Sequence, residues 1–247
     1  MALLVRSWNV FHGRTFPPGR RAYLRPAIEL ITKDSPDVVC LQELPRWSLG
    51  RLEGWSGMDA LGVRTRPGLG RPARKLTDLH HGRLRSGLTG QANAILLGGR
   101  LEVLEHRRLV VSPRWARERR VCQVLRVAGT AELGLVNLHL SHAGEGGPAA
   151  AELEKAVAFA ERLVPRDVTL VLAGDFNLSS ASSALAGLTS SAGFSPAGPG
   201  IDHILVRGAP ATELTVWPVE RRTVGGRVLS DHAPIELYVG EEVFRPS

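Results

Sequence analysis

The chain has 247 residues, and its hydrophobic share of 43% is enough to bury the core of one large domain. Two cysteines are too few for a disulfide scaffold, and no apolar run approaches the roughly 18 residues that span a bilayer. The formal charge of +7 favours a polyanionic partner, although the excess of arginine has codon composition as an alternative explanation.

The N-terminal residues, from Met1 to Val10, predict a strand that begins the domain at once. Nothing there has the pattern of a signal peptide, so we expect a soluble, cytoplasmic protein that is monomeric by default. Helical spacing of apolar residues predicts a helix over 22–33, which Pro36 closes before a buried strand at 37–41. Cys40 and Cys122 lie in apolar runs, which indicates free thiols in the core.

The middle of the chain changes character at about residue 64. Gly, Pro, Arg and His dominate from 64 to 85, which predicts a long surface loop. Later residues predict strands at 91–97, 101–105, 121–128 and 133–140, a helix from Pro148, a strand at 168–173, a short helix within 179–192, and strands at 201–206, 212–217 and 233–239. Many strands with few helices indicate an α/β (α+β) four-layer sandwich of two stacked, mostly antiparallel mixed sheets flanked by helices, in a single domain over 1–247.

Polar residues at the strand ends are of the types that hydrolyse phosphate esters. Each one alone is weak evidence, because a strand that leaves the core simply reaches water. The candidates are Asn9, Glu43, His139, Asp175, Asn177, Asp202, Asp231 and His232.

Three motifs carry most of this signal. In Gly174–Asn177, an extended segment would point Asp175 and Asn177 the same way, and a turn with an Asx hydrogen bond is the alternative. His139 alternates with leucines and so shares a strand face with polar groups. Two Asp-His pairs, at 202–203 and 231–232, offer carboxylates that would fix an imidazole tautomer.

In chain order, these motifs resemble those of the endonuclease/exonuclease/phosphatase superfamily. The matching segments are Trp8-Asn9, Pro36 to Glu43, Asn137-Leu138-His139, Gly174 to Asn177 and Ser230 to Ile235. The resemblance covers essentially the whole chain and implies that superfamily's fold and a metal-dependent phosphoesterase activity.

The resemblance also implies roles for the residues. Glu43 would be the principal ligand of Mg²⁺ or Mn²⁺, helped by Asn9 and Asp231. His139 and His232 would bind phosphate oxygens, and Asp202 would brace His232. Asp175 would orient or deprotonate the attacking water and Asn177 would hold it, with the choice of Asp175 or His232 as general base left open.

Family members usually add a polar residue from the middle of the chain, which the sequence does not place. Asn93, Arg119 and Arg120 are candidates for it, and His203 is a candidate substrate contact.

Arginine-rich stretches at 64–85 and 107–126 favour a nuclease acting on DNA or RNA. A phosphatase or phosphodiesterase acting on an inositol phosphate or a lipid head group would use the same residues and is the main alternative. A nucleic-acid-binding protein without catalysis is a third, which the intact set of acidic residues argues against.

Overall fold

The computed structural model describes residues 2–19, 23–68, 88–114, 116, 118–142 and 147–240. Its strands are β1 (Leu3–Asn9), β2 (Thr15–Phe16), β3 (Val38–Leu44), β4 (Asp59–Arg66), β5 (Gln91–Leu97), β6 (Glu102–Val110), β7 (Val121–Ala128), β8 (Glu132–His139), β9 (Thr169–Asp175), β10 (Asp202–Arg207), β11 (Thr215–Val216), β12 (Thr223–Val224), β13 (Arg227–Leu229) and β14 (Ile235–Val239). Its helices are α1 (Leu24–Thr32), α2 (Leu52–Ser56), α3 (Ala149–Leu163) and α4 (Ser183–Ser191).

Two large sheets form the centre of the structure. One has six strands in the order β11-β14-β1-β3-β5-β4, and the other has five in the order β10-β9-β8-β7-β6. β1 and β3 run parallel, as do β8 and β9, whereas the other neighbours in these two sheets are antiparallel. A small sheet, β12-β13-β2, joins the beginning and the end of the chain.

Three hydrophobic clusters separate the layers. Val5, Ile95 and Leu135 belong to the cluster between the sheets. A second cluster packs α1 against the six-stranded sheet, and a third packs α3 against the five-stranded sheet. The expected sandwich of two mixed sheets flanked by helices is therefore confirmed, and both cysteines are free and buried.

The element bounds agree best where the hydrophobic pattern is strong. The strands at 91–97 and 121–128 lie where the sequence predicts them. The sequence pattern did not predict β4, because it is an edge strand with exposed polar residues. Its last three residues, 64–66, fall within the loop predicted at 64–85. Most of that loop, from 69 to 85, lies outside the described residues. Of the strand predicted at 212–217, only β11 is present in the structure.

No described helix has the length and apolar character needed to cross a bilayer.

A buried polar clamp joins the two large sheets. The Asn137 amide of β8 donates to the carbonyl oxygens of Leu41 and Ala94, at 3.1 and 2.9 Å, and accepts from Gln42 Nε2 at 2.8 Å. Asn137 and Gln42 are fully buried. Buried carbonyl groups require such partners, so the clamp fixes how β8 lies against β3 and β5.

Gly174 is a second point of close approach, between β8 and β9. Its φ is +145°, and a Cβ at this position would overlap the Leu138 carbonyl oxygen. A side chain here would force β9 away from β8, immediately before Asp175.

We predict opposite effects for two glycine substitutions. Gly174→Ala should lower the free energy of unfolding by about 2–3 kcal/mol, because the strain and the overlap fall on backbone atoms. Gly187→Ala is the matched control, since Gly187 lies in α4 with open space around it, and it should raise the free energy of unfolding by roughly 0.5–1 kcal/mol. Urea unfolding of both variants measures this, and equal effects would contradict the close approach.

Candidate active site

Polar side chains from both large sheets meet at one edge of the sandwich. β1, β3, β8 and β9 all end there, because β1 is parallel to β3 and β8 is parallel to β9. His139 and Asp175 are partners across β8 and β9, and Asp202 opens β10 opposite Asp175. Asn9 Nδ2 donates to Asp175 Oδ2 at 2.9 Å and so connects the two sheets at this edge.

Glu43 reaches the site through a β-bulge. Leu41 pairs with Ala94 and Leu44 pairs with Ala92, so residues 42 and 43 both lie opposite the single residue Asn93. Glu43 has a φ of +55°. The extra residue breaks the alternation of the strand, which would otherwise send Glu43 to the helix-covered face together with Leu41.

The Glu43 carboxylate lies among groups of both signs. His12 Nε2 is 3.6 Å from one carboxylate oxygen, and His139 Nε2 is 3.7 Å from the other. Burial, together with the nearby carboxylates of Asp175 and Asp231, raises the pKa of Glu43 to about 7. An oxygen-rich, negatively charged group of this kind fits a hard divalent cation, which would offset the repulsion.

Asp175 is the most connected carboxylate of the site. Its Oδ1 accepts the Asn177 backbone N–H at 3.0 Å, and its Oδ2 lies 3.6 Å from His139 Nε2. Burial and the neighbouring Asp202 raise its pKa. Asn177 has a φ of +51°, so the expectation of an extended segment is wrong and the Asx turn is present, because the hydrogen bond from its N–H turns the chain.

His232 forms a pair with Asp202. Its Nδ1 lies 2.8 Å from Asp202 Oδ2, and its Nε2 lies 3.8 Å from Asp175 Oδ2. Burial opposes the charge on the ring, but the hydrogen bond to Asp202 and the attraction of Asp175 and Asp231 raise the pKa of His232 to about 9. The ring is therefore an imidazolium at neutral pH, with a proton on each nitrogen.

Within the part of the chain that the structure describes, one group of acidic and histidine side chains is arranged so that it could hold a metal ion. Asp175, Asp202 and His232 bring one ligand atom each to within 4.8 Å of one another. A charged imidazolium must lose its proton before it binds a metal, which disfavours that group. The Glu43 carboxylate is a further hard oxygen ligand at this edge, and His12 and His139 lie beside it.

His139 is held by a buried arginine. Arg120 Nη1 lies 3.0 and 2.9 Å from the two ring nitrogens of His139, and Arg120 Nη2 pairs with Glu118 at 3.2 Å. Burial, and then the charge of Arg120, lower the pKa of His139 well below its usual range. His139 is thus neutral beside a fixed cation, an arrangement that suits an anionic substrate.

The structure distinguishes the candidates for the mid-chain polar residue and for the substrate contact. Arg120 belongs to the site, whereas Arg119 is exposed beside it. Asn93 lies opposite the bulge but is fully buried, which leaves no surface for a substrate to contact. His203 is fully buried, with its Nε2 2.8 Å from the Leu178 carbonyl oxygen and its ring packed edge-on against Phe176, so a substrate contact there stays a prediction.

Sequence reasoning missed two residues of this region. His12 follows β1 in a short turn with a φ of +55° and lies beside Glu43. Arg222 precedes β12 and contacts the loop that carries Asp231 and His232. Neither lies in a recognisable motif. One sequence feature pointed to His12, namely its position. It precedes Gly13 in the segment after β1, and β1 ends at the candidate site residue Asn9.

Comparisons with known proteins identify the family and the fold. The family model described as "Endonuclease/Exonuclease/phosphatase family" matches residues 7–232. An endonuclease/exonuclease/phosphatase from Bacteroides vulgatus aligns with a TM-score of 0.74 at 17% identity, over 97% of this chain and 98% of that one. Humanized D. rerio TDP2 aligns with a TM-score of 0.69 at 20% identity, over 97% and 99% of the two chains. A mannosyl-6-phosphatase from Bacteroides thetaiotaomicron aligns with a TM-score of 0.69 at 18% identity, over 97% and 100%.

At these identities the structural likenesses establish a shared fold. No curated protein sequence matches the chain.

We predict that the charge of His232 depends on Asp202. In metal-free buffer, histidine NMR should give a titration midpoint near 9 for His232. Asp202→Asn should move it towards the ordinary value of about 6.5, because the partner charge is lost. Since the folded-state pKa is raised, the stability that this pair contributes is complete below about pH 6.5 and is lost as the pH rises through about 9.

The matched control for this titration is Asp167→Asn. Asp167 is an exposed carboxylate before β9, at the opposite end of that strand from Asp175, and its loss should leave the midpoint near 9. A midpoint that stays near 9 in Asp202→Asn would show that Asp202 does not set the charge.

Proposed function

Because the chain belongs to the endonuclease/exonuclease/phosphatase family, we propose that it is a divalent-metal-dependent phosphodiesterase and, most specifically, a nuclease acting on DNA or RNA. One observation carries the proposal. Three groups converge at one edge of the sandwich, from β3 and from loops next to the strands. They are the Glu43 carboxylate with its raised pKa, the His232 imidazolium held by Asp202, and the buried Arg120. Phosphoryl transfer requires these same elements, since it depends on positioning and on charge stabilisation.

Glu43, Asn9 and Asp231 would hold the metal ion. Asn9 Oδ1 accepts the Phe11 N–H at 3.0 Å and keeps a second lone pair for a ligand bond. A bound Mg²⁺ or Mn²⁺ would neutralise phosphate charge and would lower the pKa of Glu43.

Asp175 is the better candidate for the general base. Its carboxylate is held by Asn9 and by the Asn177 backbone, and its raised pKa suits the acceptance of a proton from water. His232 already carries its proton at neutral pH, so it acts as a donor to a non-bridging phosphate oxygen. Asp202 holds that imidazolium in place.

The opposite side of the cleft supplies further positive charge. Arg120 and the neutral His139 ring would contact phosphate oxygens as negative charge accumulates. Asn177 is itself anchored, since its Nδ2 donates to the Leu140 carbonyl oxygen at 2.9 Å. The catalytic groups are therefore fixed before substrate arrives.

We favour nucleic acid because exposed arginines extend from this site. Arg66 pairs with Glu118 at 3.1 Å, which brings the end of β4 beside the segment that supplies Arg120. We define the basic rim as the exposed residues Arg64, Arg108, Arg114 and Arg119. Spaced cations next to a hydrolytic site suit a substrate with many phosphates.

A phosphatase acting on a sugar phosphate is the second candidate. The mannosyl-6-phosphatase from Bacteroides thetaiotaomicron shares the fold over its full length, so the same fold accommodates a small monoester. Such a substrate offers one phosphate group and would leave most of the basic rim unused.

We predict metal-dependent hydrolysis that fails in single-carboxylate variants. End-labelled single- and double-stranded DNA, abasic duplex, RNA and a sugar phosphate would be incubated with Mg²⁺, Mn²⁺ or EDTA. Glu43→Gln and Asp175→Asn should each reduce kcat by about 100-fold or more, whereas Glu154→Gln, an exposed control in α3, should leave it unchanged.

Calorimetric titration with Mn²⁺ separates the two roles, because Glu43→Gln should lose metal binding and Asp175→Asn should retain most of it. Turnover of the sugar phosphate alone would favour the phosphatase. Binding of nucleic acid by folded protein without any turnover would indicate the non-catalytic alternative.

We predict that the basic rim governs binding of nucleic acid. Replacing Arg114 and Arg119 by Ala should weaken binding of fluorescent DNA in metal-free buffer and reduce the slope of log K against log salt by up to about 2. Replacing two exposed arginines, Arg162 in the last turn of α3 and Arg166 after the helix ends, should leave the slope unchanged. Equal slopes for both double variants would exclude the rim as the binding surface.

A further inference from the structure

Arg222 contacts the loop that carries Asp231 and His232. Its Nη1 lies 3.1, 3.0 and 3.2 Å from the carbonyl oxygens of Leu229, Ser230 and His232. One guanidinium nitrogen thus binds three oxygens that flank two candidate site residues. Arg222 itself is half-buried and belongs to none of the motifs that mark the site.

The loop needs a cation at this point because its carbonyl groups converge. Ser230 has a φ of +62°, which turns the chain so that neighbouring carbonyl groups point to one place. Their partial negative charges repel one another, and Ser230 is nearly fully buried. Hydrogen bonds from a charged donor are roughly twice as strong as neutral ones, so a guanidinium offsets this repulsion well.

Other contacts hold the loop from the opposite direction. Ser230 Oγ donates to the Asn9 carbonyl oxygen at 2.6 Å, and the Trp8 indole N–H donates to the His232 carbonyl oxygen at 3.0 Å. Both come from the end of β1. Arg222 reaches the loop from the chain segment before β12, so the loop is fixed between two independent parts of the structure.

We propose that Arg222 is a positioning residue, which sets the loop so that His232 meets Asp202 and Asp175; this role rests on the proposed function. His232 belongs to the chain segment before β14, whereas Asp202 and Asp175 belong to the five-stranded sheet. The 2.8 Å contact between His232 and Asp202 therefore depends on the loop, not on sheet pairing. Active-site groups must be held to within about 0.5 Å, so a loosened loop would break the pair.

Arg221 provides a matched control. It is the preceding residue, has the same side chain, and makes strong contacts of its own, to Glu236 at 2.6 Å and over the Trp217 ring at 3.6 Å. Within the described residues, the Arg221 guanidinium contacts Glu236, Asp34 and Trp217, which lie outside the 229–232 loop. A purely structural role for Arg222 would make the two positions behave alike.

The experiment compares Arg222→Met, Arg222→Lys and Arg221→Met with the unchanged protein. Hydrolysis of bis(4-nitrophenyl) phosphate with Mn²⁺ gives kcat and KM, and thermal unfolding gives Tm. Arg222→Met should lower kcat by about 10- to 100-fold, as loss of a supporting contact does. KM should change by less than about 3-fold, because the contacts to bound substrate remain.

Two further results distinguish positioning from folding. Arg222→Lys, which retains a point charge, should keep more of the activity than Arg222→Met, and free guanidinium below denaturing concentration should restore part of the loss. Arg221→Met should lower Tm while kcat of the folded protein stays unchanged. Equal kcat losses at 221 and 222, or an unchanged kcat in Arg222→Met, would overturn the proposal.

A measurement that does not depend on hydrolysis tests the role of Arg222 independently of the proposed function. NMR would follow the His232 Nδ1–H signal and the exchange rate of the Trp8 indole N–H, which depends on the His232 carbonyl oxygen. Arg222→Met should broaden the first and speed the second, and Arg221→Met should do neither. If the unchanged protein hydrolyses no phosphate ester, the proposed function fails, whereas these two signals still decide whether Arg222 positions the loop.

Discussion

The clamp made by Asn137 is the contact on which the rest of the site depends. It lies where the inner faces of the two sheets change from apolar to polar residues, and it satisfies carbonyl groups of β3 and β5 next to the bulge. Because those carbonyl groups are buried, their hydrogen bonds fix the distance and the angle between the sheets. Side chains on different sheets, such as Asn9 and Asp175, are then close enough to bond directly.

Backbone strain is concentrated at the same edge. Five of the six described non-glycine residues with positive φ lie beside the site, namely Phe11, His12, Glu43, Asn177 and Ser230. Each conformation costs roughly 1–3 kcal/mol and persists only where the surroundings impose it. Here the clamp, the Asx turn and the contacts of the 229–232 loop impose it. As a result, the side chains of the site converge in a way that the regular alternation of a strand would not allow.

The electrostatics of the site follow from this crowding. Burial, and then the crowding of carboxylates, raise the pKa of Glu43 and Asp175. Burial opposes the charge of His232, but the neighbouring carboxylates, Asp202 first, raise its pKa. Burial, and then the adjacent Arg120, lower the pKa of His139. Acid, base and cation are thereby distinguished by their neighbours, within one small region. For substrate choice we propose a separate origin, in the basic rim around this centre.

The sequence by itself determined the sandwich, the strand-end positions of the acidic residues, and the family resemblance that the family match confirmed. These features depend on local patterns: hydrophobic periodicity, chain punctuation and short motifs. Strand alternation alone would place Glu43 on the face that Leu41 occupies. For Asp175 and Asn177, the sequence favoured an extended segment over the Asx turn that the structure has. Both His203 and His232 follow an aspartate, and the sequence did not show how either ring packs. Only the tertiary structure decided that the bulge turns Glu43 into the cleft, that His203 packs against Phe176, and that Arg120, His12 and Arg222 join the site. The reason is that which face a side chain occupies near a bulge or a turn, and which distant residue it meets, depend on contacts between sheets that are far apart in sequence.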